Sequence, residues 1–103
     1  MHRMNDLLRQ AQVMQNKMAK MQEELGERLI EAGSGGGMVK VVCNGKQELI
    51  SINIEKEAVN PDDVEMLQDL VLTAVNEALR LSREMVEKEM GSLTGGMKIP
   101  GMF

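Results

Sequence analysis

The chain has no tryptophan or tyrosine, and its single phenylalanine is the last residue, Phe103. Aromatic side chains usually supply much of the volume of a small core. Eleven methionines take that place among 103 residues, and methionine is a flexible side chain that suits adaptable cores and interfaces. A chain of this size has a thin core, so long amphipathic segments in it favour association with a second copy.

Cysteine and long apolar runs are also scarce. Cys43 is the only cysteine, which excludes an internal disulfide and fits a reducing compartment. No apolar run approaches the roughly 20 residues that span a bilayer, and the first ten residues lack the apolar region of a signal peptide. These absences predict a soluble cytoplasmic protein with no membrane contact.

The sequence contains no recognisable arrangement of catalytic or metal-binding residues. Cys43 has no second cysteine or nearby histidine with which to form a reactive or metal-binding site. The glycine run at 33–37 lacks the lysine and hydroxyl of a phosphate loop, and it precedes a predicted strand. The carboxylates at 62–65 lack the spacing of a calcium loop. We therefore predict no enzymatic activity, no metal and no cofactor.

The net charge of −4 is unevenly distributed along the chain. Residues 1–50 contain seven lysines and arginines against six carboxylates, whereas residues 51–103 contain five against ten. Any surface that binds nucleic acid must therefore be local, built from a few basic side chains on one face.

Two segments carry an apolar residue every three or four positions, which predicts two amphipathic helices. The first covers residues 4–25 and is expected to end at Gly26. The second is expected to begin at Asn60 and Pro61, which suit a helix N-terminus, and to end at Gly91. The first apolar seam is Met4, Leu7, Ala11, Met14, Met18, Met21 and Leu25, and the second is Val64, Leu67, Val71, Ala74, Ala78, Leu81 and Met85.

Between the helices the pattern predicts three strands, at residues 27–33, 38–44 and 48–56. The predicted fold class is α+β, in the order α-β-β-β-α, with a three-stranded antiparallel sheet flanked by two long helices. We expect residues 1–90 to form a single domain, followed by a flexible C-terminal tail at 91–103 that contains glycine and proline.

The second and third strands are expected to form a hairpin at Asn44–Gly45, because both residues tolerate positive φ. A four-residue turn would place Val41 opposite Ile50 and Val39 opposite Ile52. This register puts one set of side chains on a buried face, namely Val39, Val41, Ile50, Ile52 and Ile54.

Three strands cannot cover two helices with such broad apolar faces. The second helix has a further apolar flank, formed by Leu70, Val75 and Leu79, and the first helix needs another helix as cover. A symmetry mate is the simplest source, so we predict an intertwined homodimer. The candidate interface residues on the first helix are Leu7, Met14, Met18 and Met21.

Several basic residues lie at helical spacing away from the apolar seams. In the first helix the polar stripe is Arg9, Gln12, Asn16 and Lys20, and in the second it is Asn76, Arg80 and Arg83. The alternative is a solvated face in which Glu84 pairs with Lys88 and Arg83 pairs with Glu87, and the pattern alone favours this alternative. Base stacking on aromatic side chains is excluded, but a few basic contacts doubled by a dimer would bind phosphates.

Four segments of the sequence, taken together, resemble the YbaB/EbfC family of nucleoid-associated proteins. They are LLRQAQVMQNKMAKMQEEL (7–25), GGGMVKVVCNGKQEL (35–49), EMLQDLVLTAVNEAL (65–79) and EMGSLTGGMKIPG (89–101). Each is weak alone, but the four stand in the right order and cover essentially the full length. The resemblance implies a homodimer whose projecting helices look like tweezers, DNA binding, nucleoid association and an influence on gene expression.

The resemblance transfers no base-reading motif, so we assign candidate DNA contacts by position and charge. They are Arg9, Lys17, Lys20, Arg80 and Arg83. The predicted function is binding of double-stranded DNA by a homodimer, chiefly through phosphates and with little sequence specificity. The alternative is a protein-interaction adaptor, favoured by the acidic second half and the methionine-rich face. The resemblance implies that such an adaptor would act in DNA replication or recombinational repair.

Overall fold

The computed structural model describes residues 2–93, and it confirms the predicted α+β class and the predicted order of elements. Helix α1 spans His2–Glu27, strand β1 Leu29–Ser34, strand β2 Val39–Asn44, strand β3 Leu49–Ile54 and helix α2 Val64–Leu93. The predicted tail lies mainly outside the described residues.

The sheet has the order β1-β2-β3, and both neighbouring pairs are antiparallel. Val41 pairs with Ile52 and Val39 with Ile54, so the predicted pairs of Val41 with Ile50 and of Val39 with Ile52 are wrong. The error is two residues, which preserves the alternation of faces. Ile52 and Ile54 therefore lie on the same face as the two valines, as predicted.

The register differs from the prediction because of the turn and a bulge. The amide of Gln47 donates a hydrogen bond to the carbonyl of Asn44 at 3.2 Å, which closes a tight turn. The positive φ of this turn, 65°, falls on Gln47 and not on the predicted Asn-Gly pair. Cys43 then pairs with Leu49, so Ile50 becomes the extra residue of a β-bulge.

The core lies between the middle of α2 and one face of β1 and β2. Ala74 and Ala78 have no exposed surface, and they form one cluster with the fully buried Val39, Val41 and Cys43. Because the two alanines have short side chains, α2 approaches the sheet closely. The Cys43 thiol also donates a hydrogen bond to the carbonyl of Ala78 at 3.3 Å.

Among the described residues, helix α1 joins this packed region only at its C-terminal end. Leu25 and Gly26 are buried, and Arg28 forms an ion pair with Glu89 of α2 at 3.5 Å. Residues 3–17 are exposed throughout. The molecule measures 74 × 21 × 17 Å, and its radius of gyration is 19.7 Å, against about 13 Å for a compact domain of 100 residues. Residues 2–20 of α1 are therefore an arm that projects from the packed region.

The start of α2 differs from the prediction. The helix begins at Val64, because the side chain of Asp63 accepts a hydrogen bond from the amide of Met66 at 3.2 Å and so caps the helix. The predicted cap, Asn60, instead forms a turn in which its carbonyl accepts a hydrogen bond from the amide of Asp63 at 2.9 Å.

Both predicted helix ends are wrong by a few residues. Helix α1 continues through Gly26 to Glu27, and α2 continues through Gly91 to Leu93. Neither glycine takes the left-handed conformation that ends many helices. A glycine inside a helix costs about 1 kcal/mol relative to alanine, which packing of the neighbouring residues can outweigh.

Candidate nucleic-acid interface

The arm carries basic side chains on the side away from its apolar seam. At 100° per residue, Arg9 and Lys20 lie nearly opposite Met18, and Lys17 lies between the two sides. The three basic side chains are exposed, and none of them forms an ion pair within residues 2–93. From Arg9 to Lys20 the stripe is about 16 Å long, close to half a turn of B-DNA. We call Arg9, Lys17 and Lys20 the basic stripe.

The arm is positively charged, although the chain as a whole carries −4. Its charged residues are Arg3, Arg9, Lys17 and Lys20 against the single carboxylate of Asp6, which gives +3. Residues 21–27, at the base of α1, contain three glutamates and no basic residue. The positive charge is therefore concentrated on the part of the helix that projects from the packed region, where it can attract phosphates.

Arg80 on α2 is held by two carboxylates. Its guanidinium donates to Glu77 at 2.5 and 3.1 Å and to Glu84 at 2.5 Å. The hydrogen bonds and charge of these carboxylates raise the pKa of Arg80, and the hydrogen bond from Arg80 lowers the pKa of Glu77. The three residues together carry −1, so Arg80 must give up these contacts before it can bind a phosphate.

Arg83 is placed differently from Arg80. It is exposed, and within the described part of the chain it forms no ion pair. The predicted pair of Arg83 with Glu87 is therefore wrong, as is that of Glu84 with Lys88, because Glu84 accepts from Arg80 instead. The structure thus brings three of the five candidate contacts together on the arm and leaves the other two on a separate helix.

The apolar seam of the arm is largely uncovered in the single chain. Leu7 is 64% exposed and Met14 is 43% exposed, while Met18 and Met21, nearer the base, are half-buried. All four are candidate interface residues from the sequence, and the structure places them on one side of α1. Apolar side chains at this spacing need cover from another surface.

A second apolar surface lies on β3, although the sheet faces are expected from the sequence to take part in pairing of two chains. Helix α2 packs across β1 and β2 and makes little contact with β3. The β3 side chains that were predicted to be buried are exposed: Ile50 by 55%, Ile52 by 45% and Ile54 by 37%. The second apolar flank of α2 exceeds what one sheet face can cover, which indicates that α2 needs a further neighbour but does not indicate that β3 is left open.

An apolar groove on α2 includes Val71, Leu72 and Val75. Val71, Val75 and Ser82 share one stripe of α2, and Ser82 accepts a hydrogen bond at 2.8 Å from Gln47, just before β3. We define the β3–α2 surface as Leu49, Ile50, Ile52, Ile54, Val71, Leu72 and Val75. Large apolar side chains that are left exposed in such number mark an interaction site in soluble proteins.

The described residues contain no group of histidine, cysteine and carboxylate side chains that could hold a metal ion. Burial raises the pKa of the Cys43 thiol, which disfavours the reactive thiolate. Between residues 2 and 93 no helix is apolar enough over a sufficient length to span a bilayer. Within residues 2–93, the features that suit recognition are the basic stripe and the two apolar surfaces.

Comparison with protein families gives one match over most of the chain. Residues 1–97 match the model of the YbaB/EbfC DNA-binding family. A protein of Desulforamulus reducens named nucleoid-associated protein is 68% identical over 100 residues, which cover 97% of this chain and 95% of that protein. A protein of Pelotomaculum thermopropionicum with the same name is 55% identical over the same shares of the two chains.

The fold also has a counterpart among solved structures. The crystal structure of an uncharacterised protein from Helicobacter pylori superposes with a TM-score of 0.75 at 25% sequence identity. The match covers 86% of this chain and 94% of that one. The overall fold therefore occurs in an experimentally determined structure.

Proposed function

Because the chain belongs to the YbaB/EbfC DNA-binding family, we propose that it binds duplex DNA as a homodimer, mainly through phosphate contacts from the basic stripe. The observation that carries this proposal is the arm, a helix held only at its base, with a charge of +3 and exposed basic side chains. Phosphate contacts position a protein on DNA without reading sequence, so specificity is low. Arg83 is a further proposed phosphate contact. Arg80 contacts phosphate only after its ion pairs with Glu77 and Glu84 are broken.

The β3–α2 surface supports the homodimer. In the single chain its isoleucines and Leu72, which is 60% exposed, face water. Pairing about a two-fold axis would cover this surface on both chains at once. The second proposed contact is the apolar seam of α1, with Leu7, Met14, Met18 and Met21. If the seams are covered in this intertwined pair, the basic stripes point outward, where two arms can straddle one duplex.

The test is a binding titration with a duplex of about 25 base pairs at rising salt, since counterion release makes phosphate binding salt-dependent. We expect Arg9→Glu/Lys20→Glu to weaken binding about 100-fold near 0.1 M salt and to flatten the salt dependence. The matched control is Lys40→Glu/Lys56→Glu. It changes the net charge by the same amount as the arm variant, but on strand β2 and in the loop after β3.

Each outcome of this experiment has a distinct meaning. Loss of binding in the arm variant with little change in the control supports the basic stripe as the contact. An equal loss in both variants would mean that net charge alone governs binding. Unchanged binding in the arm variant would exclude the basic stripe, and the DNA contact would then have to be sought on α2.

The exposed apolar surfaces favour a second candidate function, an adaptor for replication or recombination proteins. Such a partner would cover the β3–α2 surface in place of a second copy of the chain. A pull-down from nuclease-treated lysate distinguishes the two functions, because an adaptor retains its partner after the DNA is removed. The solution mass of the purified chain at micromolar concentration then shows whether a second copy already covers the surface.

We further propose that the protein acts without a catalytic step and in association with the nucleoid, where it influences nucleoid organisation and gene expression. The names of the relatives support the location. Imaging of a fluorescent fusion tests it: signal that follows the chromosome is expected, and signal spread evenly through the cytoplasm would contradict it.

A further inference from the structure

The C-terminal end of α1 rests directly on the turn between β2 and β3, and this contact requires glycine. A Cβ atom on Gly45 would overlap the carbonyl oxygen of Leu25 and would lie 3.2 Å from the Cα atom of Gly26. A Cβ atom on Gly26 would lie 2.8 Å from the side chain of Lys46, which crosses the end of α1. Neither glycine has a positive φ, so the close approach is what matters: Gly45 meets backbone atoms of α1, whereas Gly26 meets the flexible side chain of Lys46.

The same turn is fixed to α2 by a polar network. Ser82 has no exposed surface, and its hydroxyl donates to the carbonyl of Asn44 at 2.7 Å and accepts from Gln47 at 2.8 Å. The side chain of Asn44 in turn accepts hydrogen bonds from the amides of Lys46 at 2.9 Å and Glu48 at 3.1 Å. Buried networks whose members are all satisfied hold one conformation. The turn is therefore a fixed platform between α2 and the end of α1.

We propose that this contact, a joint formed by Gly26, Gly45 and Ser82, sets the direction of the arm and thereby places the basic stripe for DNA. The inference rests on the proposed function, in which the arm contacts the duplex. The three joint residues are positioning residues, because they lie at or beside the base of α1, and Gly26 is about 26 Å along the helix from Arg9.

The displacement of the arm by Gly45→Ala can be calculated by treating α1 as a rigid rod. Real Cβ atoms essentially never come within 3.0 Å of such an oxygen atom, so Gly45→Ala must displace α1 or the turn. A displacement of about 1 Å, taken about a pivot one helical turn away, rotates α1 by about 11° and moves Arg9 by about 4 Å. A shift of that size exceeds the tolerance of a hydrogen bond to phosphate.

The direct measurement is the distance between spin labels at Gln12→Cys on the arm and Glu31→Cys on β1. Both positions are exposed, the background is Cys43→Ala, and dilution into unlabelled chain restricts the signal to pairs within one chain. We expect Gly45→Ala to shift this distance by about 3–4 Å. The matched control is Gly91→Ala, where nothing lies within 4 Å of the added Cβ, and it should leave the distance unchanged.

The affinity for duplex DNA is the second readout. A purely structural role of Gly45 would lower the melting temperature, but it would change neither the position of the arm nor the affinity of the folded protein. We expect Gly45→Ala to weaken binding about tenfold at constant salt and Gly91→Ala to leave it unchanged. An unchanged distance in folded Gly45→Ala overturns the proposal, and so does a changed distance with unchanged affinity. If the wild type does not bind duplex DNA, the proposed function fails, and the distance alone then decides whether the joint directs the arm.

A milder variant keeps the proposal testable if Gly45→Ala does not fold. Ser82→Ala removes the tie between the turn and α2 while leaving the glycine contact intact. We expect it to broaden the distance distribution and to weaken DNA binding about threefold. Its control is Ser92→Ala on the exposed side of the same helix, and equal behaviour of the two serine variants would overturn the proposal.

Discussion

The two helices have similar lengths and similar apolar periodicity, yet only α2 packs against the sheet along its length. Helix α2 lies on the sheet through Ala74 and Ala78, which have no exposed surface, whereas α1 is exposed from residue 3 to residue 17. Periodicity therefore indicates that a helix face needs cover, but it does not indicate whether that cover comes from the same chain. We expect substitutions in α2 to affect stability first, and substitutions in the arm to affect association and DNA binding first.

The largest effect is expected where α2 meets the sheet. Ala78→Leu introduces three additional carbon atoms into a contact that has no free space, and overpacking of this kind costs about 3 kcal/mol. We expect the free energy of unfolding to fall by that amount, as measured by denaturant titration at fixed protein concentration. The concentration must be fixed because association adds to the apparent stability.

The same substitution on the arm is the control for this comparison. Ala19 is exposed, so Ala19→Leu should change the free energy of unfolding by no more than about 0.5 kcal/mol. A loss at Ala19 as large as that at Ala78 would mean that the arm is packed against protein in solution. The contrast between the two helices would then be wrong for the assembled protein.

The next largest effect is expected at the β3–α2 surface, which the proposed homodimer buries. Leu72→Asp places a charge on an apolar surface that is buried in the proposed homodimer, which should weaken dimerisation by about 2 kcal/mol, or about 30-fold. Sedimentation at micromolar concentration should show a mass moving from twice 11.4 kDa towards 11.4 kDa. Thr73→Asp, on the neighbouring exposed side of α2, should leave the mass unchanged. A wild-type chain that is already monomeric would remove the basis for this prediction.

Most of the fold could be predicted because local patterns determine it. The 3-4 spacing places both helices, and the turn over residues 44–47 places the hairpin. The exact register could not be predicted, because it depends on which turn residue takes positive φ and on the bulge at Ile50. Several backbone arrangements satisfy the same alternation, so the choice of Gln47 follows from tertiary contacts such as its hydrogen bond to Ser82.

The candidate site could be predicted less completely than the fold. The basic stripe follows from helical spacing alone, since Arg9 and Lys20 lie opposite the apolar seam. The exposure of Ile52 did not follow, because alternation predicts a covered face without saying that α2 leaves β3 open. The pairing of Arg80 with Glu77 and Glu84 could have been read from its spacing, but the same rule equally allowed other pairs along α2.

A smaller effect tests the contrast between the basic residues of α2 and those of the arm. Glu77→Gln/Glu84→Gln removes both carboxylates that hold Arg80, so the guanidinium becomes free to contact phosphate. We expect duplex affinity to rise about threefold at low salt. Glu57→Gln/Glu65→Gln removes the same charge from an exposed region distant from Arg80 and should raise affinity less. Equal increases would show that net charge, and not release of Arg80, is responsible.

The smallest expected effect is a change in the pKa of Glu77. This pKa shows whether Arg80 is bound by its carboxylate partners in solution. Its hydrogen bond keeps the pKa of Glu77 below the ordinary value of 4.5, so the pair stabilises the fold above that pH and loses its contribution as the pH falls through the lowered pKa. Both partners are substantially exposed, so solvent screening keeps this contribution small. Carboxyl NMR should show the pKa of Glu77 rising in Arg80→Gln and unchanged in Arg9→Gln. If Arg80→Gln leaves it unchanged, Arg80 is as free as the arginine of the arm, and α2 must then be counted as an equal DNA contact.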